Sequence, residues 1–235
     1  AGCTGTLISP SIVVTAGHCV LDVNGLLTKN VYVGQAGSSQ DSITLKDKVA
    51  SIQITSTFQN GAGGVVGDDD LAFLTLDKPQ ILRVSIILAS EKQVTEFKSK
   101  AIALKAIGYG EYTNSGTEKI TFPKTFDGTY GSTNSLYSNS AYMVSKNGRS
   151  CAGDSGGPIL NITATQVTLV GILTGTPRGA NDKCGQKQSD GNYSTLFTVV
   201  GRYANLAFSA ATDAMNSQDQ ALSASKSQLA EKDSQ

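Results

Sequence analysis

Histidine and tryptophan are almost missing from this chain, which contains one histidine, His18, and no tryptophan among its 235 residues. Any reaction that needs an imidazole base must therefore use His18. Four cysteines are present, but no Cys-x-x-Cys pair occurs. With a single histidine, this spacing makes metal binding the weaker interpretation of the cysteines, and we expect neither a metal nor a cofactor.

An excess of one charge and a long apolar run are missing as well. Nineteen basic and nineteen acidic residues give a formal net charge of zero, and no basic patch indicates a nucleic-acid partner. The apolar segment of residues 81–89 is too short to cross a bilayer and contains Arg83, so we interpret it as a linker or a core strand. Neither nucleic acid nor a membrane is therefore expected among the partners.

The residues that are abundant favour an all-β fold. Hydrophobic residues make up 39% of the chain and glycines number 25, a composition typical of short strands joined by turns. Strand-like runs are found at residues 7–14, 49–55, 71–76, 101–107, 167–173 and 195–199.

The last part of the chain has a different character. Residues 210–235 contain few large apolar side chains, although Met215, Leu222 and Leu229 recur at intervals of seven. This thin stripe is compatible with a continuing helix. A frayed polar tail is the equal alternative.

Residues 151–158, Cys-Ala-Gly-Asp-Ser-Gly-Gly-Pro, have the composition of a loop that presents a nucleophile, and we call them the nucleophile loop. Their small side chains allow a tight turn in which the N–H groups of Gly153 and Ser155 point at one spot. Acyl transfer needs this combination of an attacking oxygen and donors for the oxyanion. Taken alone, the motif is equally compatible with a glycine-rich turn after a disulfide cysteine.

His18 is placed to serve this serine as a base. It follows the apolar residues 12–14, which predict a buried strand, and Ala16-Gly17 breaks that strand into a short turn. The neighbouring Cys19 can fix its position. A lone histidine is more often a surface or core residue, but a place at a strand end beside a cysteine favours catalysis.

Asp70 is the candidate partner of the imidazole. It leads directly into the apolar run of residues 71–76, so its carboxylate is expected to be partly buried and to need a donor. An imidazole N–H is a suitable donor. The adjacent Asp68 and Asp69 are expected to lie in a solvated loop.

The order His18, Asp70, Ser155 and the residues around each of them resemble the trypsin/chymotrypsin family of serine proteases. The resemblance covers most of residues 3–205. It rests on Gly5-Thr6-Leu7-Ile8, Thr15-Ala16-Gly17-His18-Cys19, Asp70-Leu71-Ala72-Phe73-Leu74, Gly153-Asp154-Ser155-Gly156-Gly157-Pro158 and Gly171-Ile172-Leu173-Thr174. Three separate contexts in the right order make it specific.

The resemblance implies a fold and a set of boundaries. We expect two six-stranded antiparallel β-barrels with the active site in the cleft between them, and a C-terminal helix packed against the second barrel. The barrels would span about residues 1–88 and about residues 100–200 of a protease domain at residues 1–205. Residues 206–235 would form the helix and its polar continuation.

The resemblance also implies a mechanism and partners. Ser155 attacks the scissile carbonyl, His18 accepts and returns the proton, and Asp70 orients the imidazole, while the Gly153 and Ser155 amides hold the oxyanion. The implied partners are peptide or protein substrates and protease inhibitors. The implied oligomeric state is a monomer. An esterase or lipase of the α/β-hydrolase fold is excluded by order, because those folds place the histidine after the serine and the acid.

The family's pairing of cysteines implies the disulfides Cys3–Cys19 and Cys151–Cys184. The first would steady His18, and the second would fasten the specificity pocket. Disulfides persist in oxidising compartments, so a secreted, extracellular location is expected.

By the same resemblance, Arg149 lies at the floor of the primary pocket, with Ser150 beside it and Gly191 on the other wall. Trypsin-like members carry aspartate at the floor, whereas a guanidinium would repel Lys and Arg and could pair with an acidic side chain. This predicts cleavage after Asp or Glu. The alternative is that Arg149 is turned away or neutralised by Asp182 or Asp190.

Thr174, Gly175 and Thr176 match the strand against which the family lays the substrate backbone, a form of β-addition. Gly175 stands where the family commonly has tryptophan. Because the chain contains no tryptophan, the walls for upstream substrate residues must be built differently.

Asp154 is the family's activation partner. The aspartate before the serine usually pairs with an N-terminal amine freed by cleavage, in a segment of the Ile-Val-Gly-Gly kind. The sequence begins at Ala1-Gly2-Cys3 and contains no such segment, so Asp154 either finds that amine elsewhere or is satisfied in another way. Without a partner, the oxyanion hole would be poorly organised, as in a zymogen.

A catalytically silent, protease-like binding module is the alternative function. The intact set of His18, Asp70 and Ser155 argues against it, because silent relatives tend to lose one of the three.

Overall fold

Many strands of the protein form from apolar and β-branched runs of the sequence, as a computed structural model shows. The structure describes residues 2–22, 25–28, 31–34, 46–55, 58, 69–111, 122–133, 139–177 and 181–233. The strands in these ranges are β1 (Thr6–Ser9), β2 (Ile12–Thr15), β3 (Tyr32–Gly34), β4 (Lys46–Ile54), β5 (Ala72–Leu76), β6 (Ile86–Leu88), β7 (Ala103–Gly108), β8 (Lys124–Thr133), β9 (Ser140–Ser145), β10 (Pro158–Ile162), β11 (Val167–Gly175) and β12 (Tyr193–Val199). The α-helices in the same ranges are α1 (Glu91–Ser99) and α2 (Ala204–Asp233).

The N-terminal strands form an antiparallel half-barrel, with the order β1–β2–β5–β4–β3 in the described residues. The single run predicted at residues 7–14 is a hairpin of two strands, because Pro10 and Ser11 form the turn between β1 and β2. All of β2 and β5 is buried. Val13 and Leu74, which are register partners, lie in the same apolar cluster inside the half-barrel.

The C-terminal strands close into a six-stranded barrel. Its order is β10–β7–β8–β9–β12–β11, and β10 also pairs with β11, which completes the ring. The interior is apolar, and the rings of Tyr130 and Phe197 meet edge to face with their centroids 5.5 Å apart. The closed barrel, the half-barrel and the C-terminal helix confirm the predicted all-β, trypsin-like fold class.

Residues 81–89, predicted as a linker or a core strand, contain an irregular segment followed by a strand that is only partly buried. Residues 81–85 have no regular structure, and β6 then pairs in parallel with β11, with Ile86 opposite Val167. Helix α1 follows. Its start is fixed by a capping box, in which Ser90 Oγ accepts from the Gln93 N–H and the Gln93 side chain accepts from the Ser90 N–H.

Helix α2 packs on β4 and β5 of the half-barrel, which corrects the expectation that it packs against the second barrel. The small side chain of Ala210 is fully buried and brings the helix close to the sheet. The Asp213 carboxylate accepts hydrogen bonds from Ser51 Oγ and Gln53 Nε2 of β4, each at 2.9 Å. The helix continues to Asp233. No helix in the described part of the chain has the length and apolar character that a membrane span requires.

Candidate active site

His18 and Asp70 form the best-defined pair in the site. The 3₁₀ turn Gly17–Val20 follows β2 and directs His18 toward Asp70, which lies just before β5. His18 Nδ1 lies 2.7 Å from Asp70 Oδ2, and the His18 backbone N–H donates to Asp70 Oδ1 at 2.8 Å. The Asp70 side chain is fully buried, whereas 25% of the His18 side chain is exposed. An ionised carboxylate can only accept, so Nδ1 carries the proton in this contact and Nε2 keeps a lone pair that can accept one.

Asp69 is buried, which corrects its assignment to a solvated loop. It is 8% exposed, and its Oδ1 accepts hydrogen bonds from the Tyr203 hydroxyl and the Asn139 side-chain amide. Its backbone φ of 64° lies in the left-handed region. These contacts fix the residue that precedes Asp70 and so help to hold the Asp70 carboxylate in place. Asp68 lies outside the described residues.

The nucleophile loop is braced by Thr4. This residue donates its backbone N–H to the Ser155 carbonyl at 2.8 Å and its hydroxyl to the Gly153 carbonyl at 2.9 Å. Gly153 has a φ of +93°, a conformation that favours glycine. Cys19 Sγ lies 3.8 Å from the Ser155 carbonyl oxygen. The nucleophile loop therefore packs against the residues that hold His18.

The amides expected to form the oxyanion hole have no competing acceptor. Neither the Gly153 N–H nor the Ser155 N–H donates to any residue within the described ranges. Within the same described ranges, the Ser155 hydroxyl makes no hydrogen bond to His18. Catalytic hydrogen bonds of this kind often shorten only when substrate binds. One loop thus presents a serine hydroxyl and two backbone N–H groups that are available as donors.

Two disulfides flank the site. Cys3 is bonded to Cys19 and Cys151 to Cys184, with S–S distances of 2.05 and 2.01 Å. The ligating atoms of Cys3, Cys19 and His18 lie within 4.8 Å of one another. Sulfurs bonded to each other are not the thiolates that a metal needs, so this cluster is a disulfide beside an imidazole.

Removal of the first disulfide by the double substitution Cys3→Ser, Cys19→Ser is expected to destabilise the protein. The bond joins residues 16 apart, and a loop of that size corresponds to about 3 kcal/mol of unfolding free energy. Urea unfolding under non-reducing conditions measures the difference from wild type. Superimposable unfolding curves for the two proteins would contradict the estimate.

Arg149 is half-buried and shares an aromatic partner with a second cation. Its guanidinium carbon lies 6.0 Å from the centroid of the Tyr193 ring, and Lys187 Nζ lies 5.6 Å from the same centroid. Among the described residues, no carboxylate is ion-paired with Arg149.

The two acids considered as neutralising partners of Arg149 have other contacts. Asp190 accepts hydrogen bonds from the side chain and backbone of Asn192, and these lower the pKa of Asp190. Asp182 accepts a hydrogen bond from the Gln186 side chain. Neither acid forms an ion pair with the Arg149 guanidinium within the described ranges.

The other predicted pocket residues differ in what they contact. Ser150 is buried, with its hydroxyl 3.2 Å from that of Thr195. Thr174 is buried too, and its hydroxyl donates to the Leu196 carbonyl. Gly191 has a φ of +78° in a turn, with open space where a side chain would lie. Ser150 and Thr174 thus tie their segments to β12.

The end of β11 offers an open strand edge. Gly175 pairs with Leu196 on one side, and on the other side no described strand pairs with β11 beyond Ile172. Thr176 follows the strand, and its hydroxyl donates to the Ser194 carbonyl at 2.9 Å. An extended peptide can add to such an edge through backbone hydrogen bonds.

Asp154 is fully buried and has three donors. The Cys151 N–H donates to Oδ2 at 2.7 Å and the Gly110 N–H to Oδ1 at 2.8 Å, while Lys124 Nζ lies 2.5 Å from Oδ2. Burial raises the pKa of Asp154, and the Lys124 ammonium and the two amides oppose that rise. Neither motif nor spacing had identified Lys124 or Gly110 as part of the site.

Comparisons with known proteins give the family context of this geometry. The Trypsin family model matches residues 1–206. A trypsin of Saccharopolyspora erythraea is 28% identical over 172 residues, which cover 67% of this chain and 70% of that protein. Lectizyme of Glossina austeni is 24% identical over 196 residues, covering 73% and 66% of the two chains. The venom peptide isomerase heavy chain of Agelenopsis aperta is 26% identical over 221 residues, covering 86% and 85%.

Proposed function

Because this chain belongs to the trypsin family of serine proteases, we propose that it is a secreted serine endopeptidase that cleaves peptide bonds through an acyl-enzyme. One observation carries the proposal: Nδ1 of His18, the only histidine, lies 2.7 Å from the fully buried Asp70 carboxylate. This contact sets the tautomer that a general base needs. The two disulfides support an oxidising, extracellular location.

In the proposed reaction, Ser155 Oγ attacks the scissile carbonyl carbon while its proton passes to His18 Nε2. The N–H groups of Gly153 and Ser155 stabilise the negative charge that develops on the carbonyl oxygen. Collapse of the intermediate breaks the C–N bond, and the leaving amine takes the proton from Nε2. Water then hydrolyses the acyl ester on Ser155 by the same route, and Asp70 stabilises the imidazolium in both halves.

Incubation with a panel of unstructured peptides, followed by mass spectrometry of the products, tests this function. The wild-type protein is expected to cut peptides at internal bonds, and the Ser155→Ala variant is expected to leave them whole. A binding module would hold peptides without cutting them. Intact peptides after incubation with folded, disulfide-bonded wild-type protein would therefore favour that alternative.

We further propose that the enzyme prefers an acidic side chain immediately before the cleaved bond. Arg149 has no carboxylate partner among the described residues, and Lys187 places a second ammonium beside the same Tyr193 ring. A half-buried guanidinium binds a carboxylate through paired, charge-assisted hydrogen bonds. The Arg149 guanidinium and the Lys187 ammonium also repel the positively charged side chains of a substrate's Lys or Arg.

The Arg149→Gln substitution is expected to lower kcat/KM about 10- to 100-fold for a peptide with Glu before the cut, because hydrogen bonds to a charged group contribute about 1.5–3 kcal/mol. A matched peptide with Gln at that position is expected to change little. Lys146→Gln, which removes an exposed cation three residues earlier, is the control. Faster cleavage by wild type after Lys or Arg than after Glu would overturn the proposed preference.

A further inference from the structure

We propose that two residues of the closed barrel, Tyr203 and Asn139, are positioning residues of the active site. Through Asp69 they hold Asp70, which belongs to the half-barrel, at a fixed place relative to Ser155, which belongs to the closed barrel. The inference rests on the proposed function, because it gives both residues a part in that reaction.

The candidate active site is divided between the two barrels. His18 follows β2 and Asp70 precedes β5, both strands of the half-barrel, whereas Ser155 lies in the loop before β10 of the closed barrel. Proton transfer from Ser155 to His18 therefore needs the two barrels at a fixed distance and angle. A misplacement of about 1 Å at a reacting pair can lower the rate about 10²-fold.

Apolar packing attaches the barrels to each other but sets no direction. One apolar cluster contains Phe73 of the half-barrel, Leu160 and Ile172 of the closed barrel, and the ring of Tyr203. Hydrophobic contact of this kind is non-directional. Hydrogen bonds supply direction because their geometry is restricted. The Tyr203 hydroxyl makes one of them, to Asp69.

The Asp69 carboxylate accepts hydrogen bonds from two segments of the closed barrel. Its Oδ1 accepts from the hydroxyl of Tyr203, in the 3₁₀ turn after β12, and from the side-chain amide of Asn139, just before β9. Asn139 is itself held, because its carbonyl accepts from the Val199 N–H at 3.0 Å and its side-chain oxygen accepts from Arg202. The contact with Arg202 leaves the NH₂ group of the amide to face Asp69.

The backbone of Asp69 transmits this position to Asp70. The Asp69 carbonyl accepts from the Leu71 N–H at 2.8 Å, which closes a three-residue turn with Asp70 at its centre. The Thr55 hydroxyl donates to the same carbonyl at 2.6 Å. A rotation of Asp69 would therefore turn the peptide units that carry the Asp70 side chain. The His18 ring would follow, because its Nδ1 is bonded to that carboxylate.

Loss of the Asp69 carboxylate would untie this segment from the closed barrel. The His18–Asp70 pair would then lie at a variable distance from Ser155, so the chemical step would slow. The β11 edge and the pocket at Arg149 belong to the closed barrel, so peptide binding would change little. The expected result is a fall in kcat with a nearly constant KM.

Two substitutions of Asp69 test this role. Asparagine and glycine both lack the charge and both tolerate the φ of 64°, but only asparagine keeps a side-chain oxygen that accepts. Asp69→Gly is expected to lower kcat about 10- to 100-fold, whereas Asp69→Asn is expected to stay within about threefold of wild type. A wild-type kcat in Asp69→Gly, or an equal loss in the two variants, would overturn the proposal.

Asp213→Ala is the matched control for a general weakening of the fold. The Asp213 carboxylate also accepts two hydrogen bonds between elements, from Ser51 and Gln53, but it does not adjoin Asp70. Urea unfolding is expected to show that Asp69→Gly and Asp213→Ala both destabilise the protein, while only Asp69→Gly lowers kcat. A comparable loss of kcat in Asp213→Ala would contradict a specific positioning role.

Tyr203→Phe tests whether the hydroxyl acts through Asp69. The substitution removes the hydroxyl and keeps the ring that packs in the apolar cluster. Alone it is expected to lower kcat about 2- to 10-fold, the size of one hydrogen bond, because Asn139 still donates to Asp69. Added to Asp69→Gly, it is expected to lower kcat further by no more than about twofold. Losses that multiply would overturn the proposed route.

The closing experiment reads the position of His18 without any activity. Because His18 is the only histidine, protein labelled with ¹⁵N in histidine has a single imidazole, and NMR can follow its Nδ1–H in the bond to Asp70. Wild type and Asp69→Asn are expected to share one proton signal, which Asp69→Gly shifts or loses.

An identical proton signal in all three proteins would overturn the positioning role and leave the proposed function standing. Peptides left whole by the folded wild-type protein would refute the proposed function and, with it, the part of Tyr203 and Asn139 in catalysis.

Discussion

Replacement of Ser155 by alanine is expected to lower kcat for peptide hydrolysis by about 10⁶-fold. In the proposed reaction, the Ser155 oxygen forms the acyl ester and its proton passes to His18, so the substitution removes both the nucleophile and that proton. The backbone contacts of the nucleophile loop are expected to persist, because the Thr4 N–H donates its hydrogen bond to the Ser155 carbonyl and not to the Ser155 side chain.

The matched control for this change is Ser99→Ala. The Ser99 hydroxyl is exposed and donates to the Glu96 carbonyl at the end of α1, so its loss is expected to leave kcat at the wild-type value. Rates measured with one peptide and equal amounts of folded protein give the comparison. Hydrolysis by Ser155→Ala within tenfold of wild type would show that the nucleophile is another group.

Asp70→Asn is expected to lower kcat by about 10⁴-fold. The amide can donate to Nδ1 where the carboxylate accepts, and this would stabilise the tautomer whose proton sits on Nε2. Nε2 could then no longer accept the serine proton. The charge that stabilises the imidazolium is lost as well. Because Asp70 is fully buried, water cannot replace that charge.

Asp77→Asn provides the control for the Asp70 variant, since Asp77 is an exposed acid directly after β5. It is expected to behave as wild type in both kcat and KM. The combined variant Ser155→Ala, Asp70→Asn is expected to be no slower than Ser155→Ala alone, because the members of a Ser-His-Asp triad act as a unit in the proposed mechanism. A further loss in the combined variant would indicate that Asp70 acts outside this unit.

The parts of the fold that the sequence predicted are those with strong local patterns. The apolar runs at residues 71–76 and 167–173 became β5 and β11, because short and mainly apolar runs of this kind signal buried strands. Residues 7–14 showed the limit of this signal. Apolarity continues through both arms of a hairpin, and the Pro10-Ser11 turn had to be recognised by its chemistry.

Elements with a weak pattern were not predicted. β8 has the sequence KTFDGTYGST, in which polar residues and glycines interrupt the alternation. It is a strand because residues 124–129 pair with β7 and residues from Thr129 onward pair with β9, through contacts that are distant in sequence. α1 carries one local signal of its start, the capping box of Ser90 and Gln93.

Within the candidate site, the sequence predicted a contact between two side chains only where both residues lie in recognisable motifs. His18 and Asp70 could be paired from their contexts, and they are in contact. The sequence neighbours of Asp69 predict a solvated loop, whereas the residue is buried and accepts hydrogen bonds from Tyr203 and Asn139, which are far along the chain. The Lys124 contact depends on the register of β7 and β8, which no local pattern encodes.

The most direct test of the proposed active site is covalent labelling with a fluorophosphonate, read by intact mass and peptide mapping. Wild-type protein is expected to gain one adduct, on Ser155, at a rate that falls sharply in His18→Ala and to zero in Ser155→Ala. Ser99→Ala is expected to label as wild type. No adduct on folded wild-type protein, or an adduct that persists in Ser155→Ala, would contradict the proposed active site.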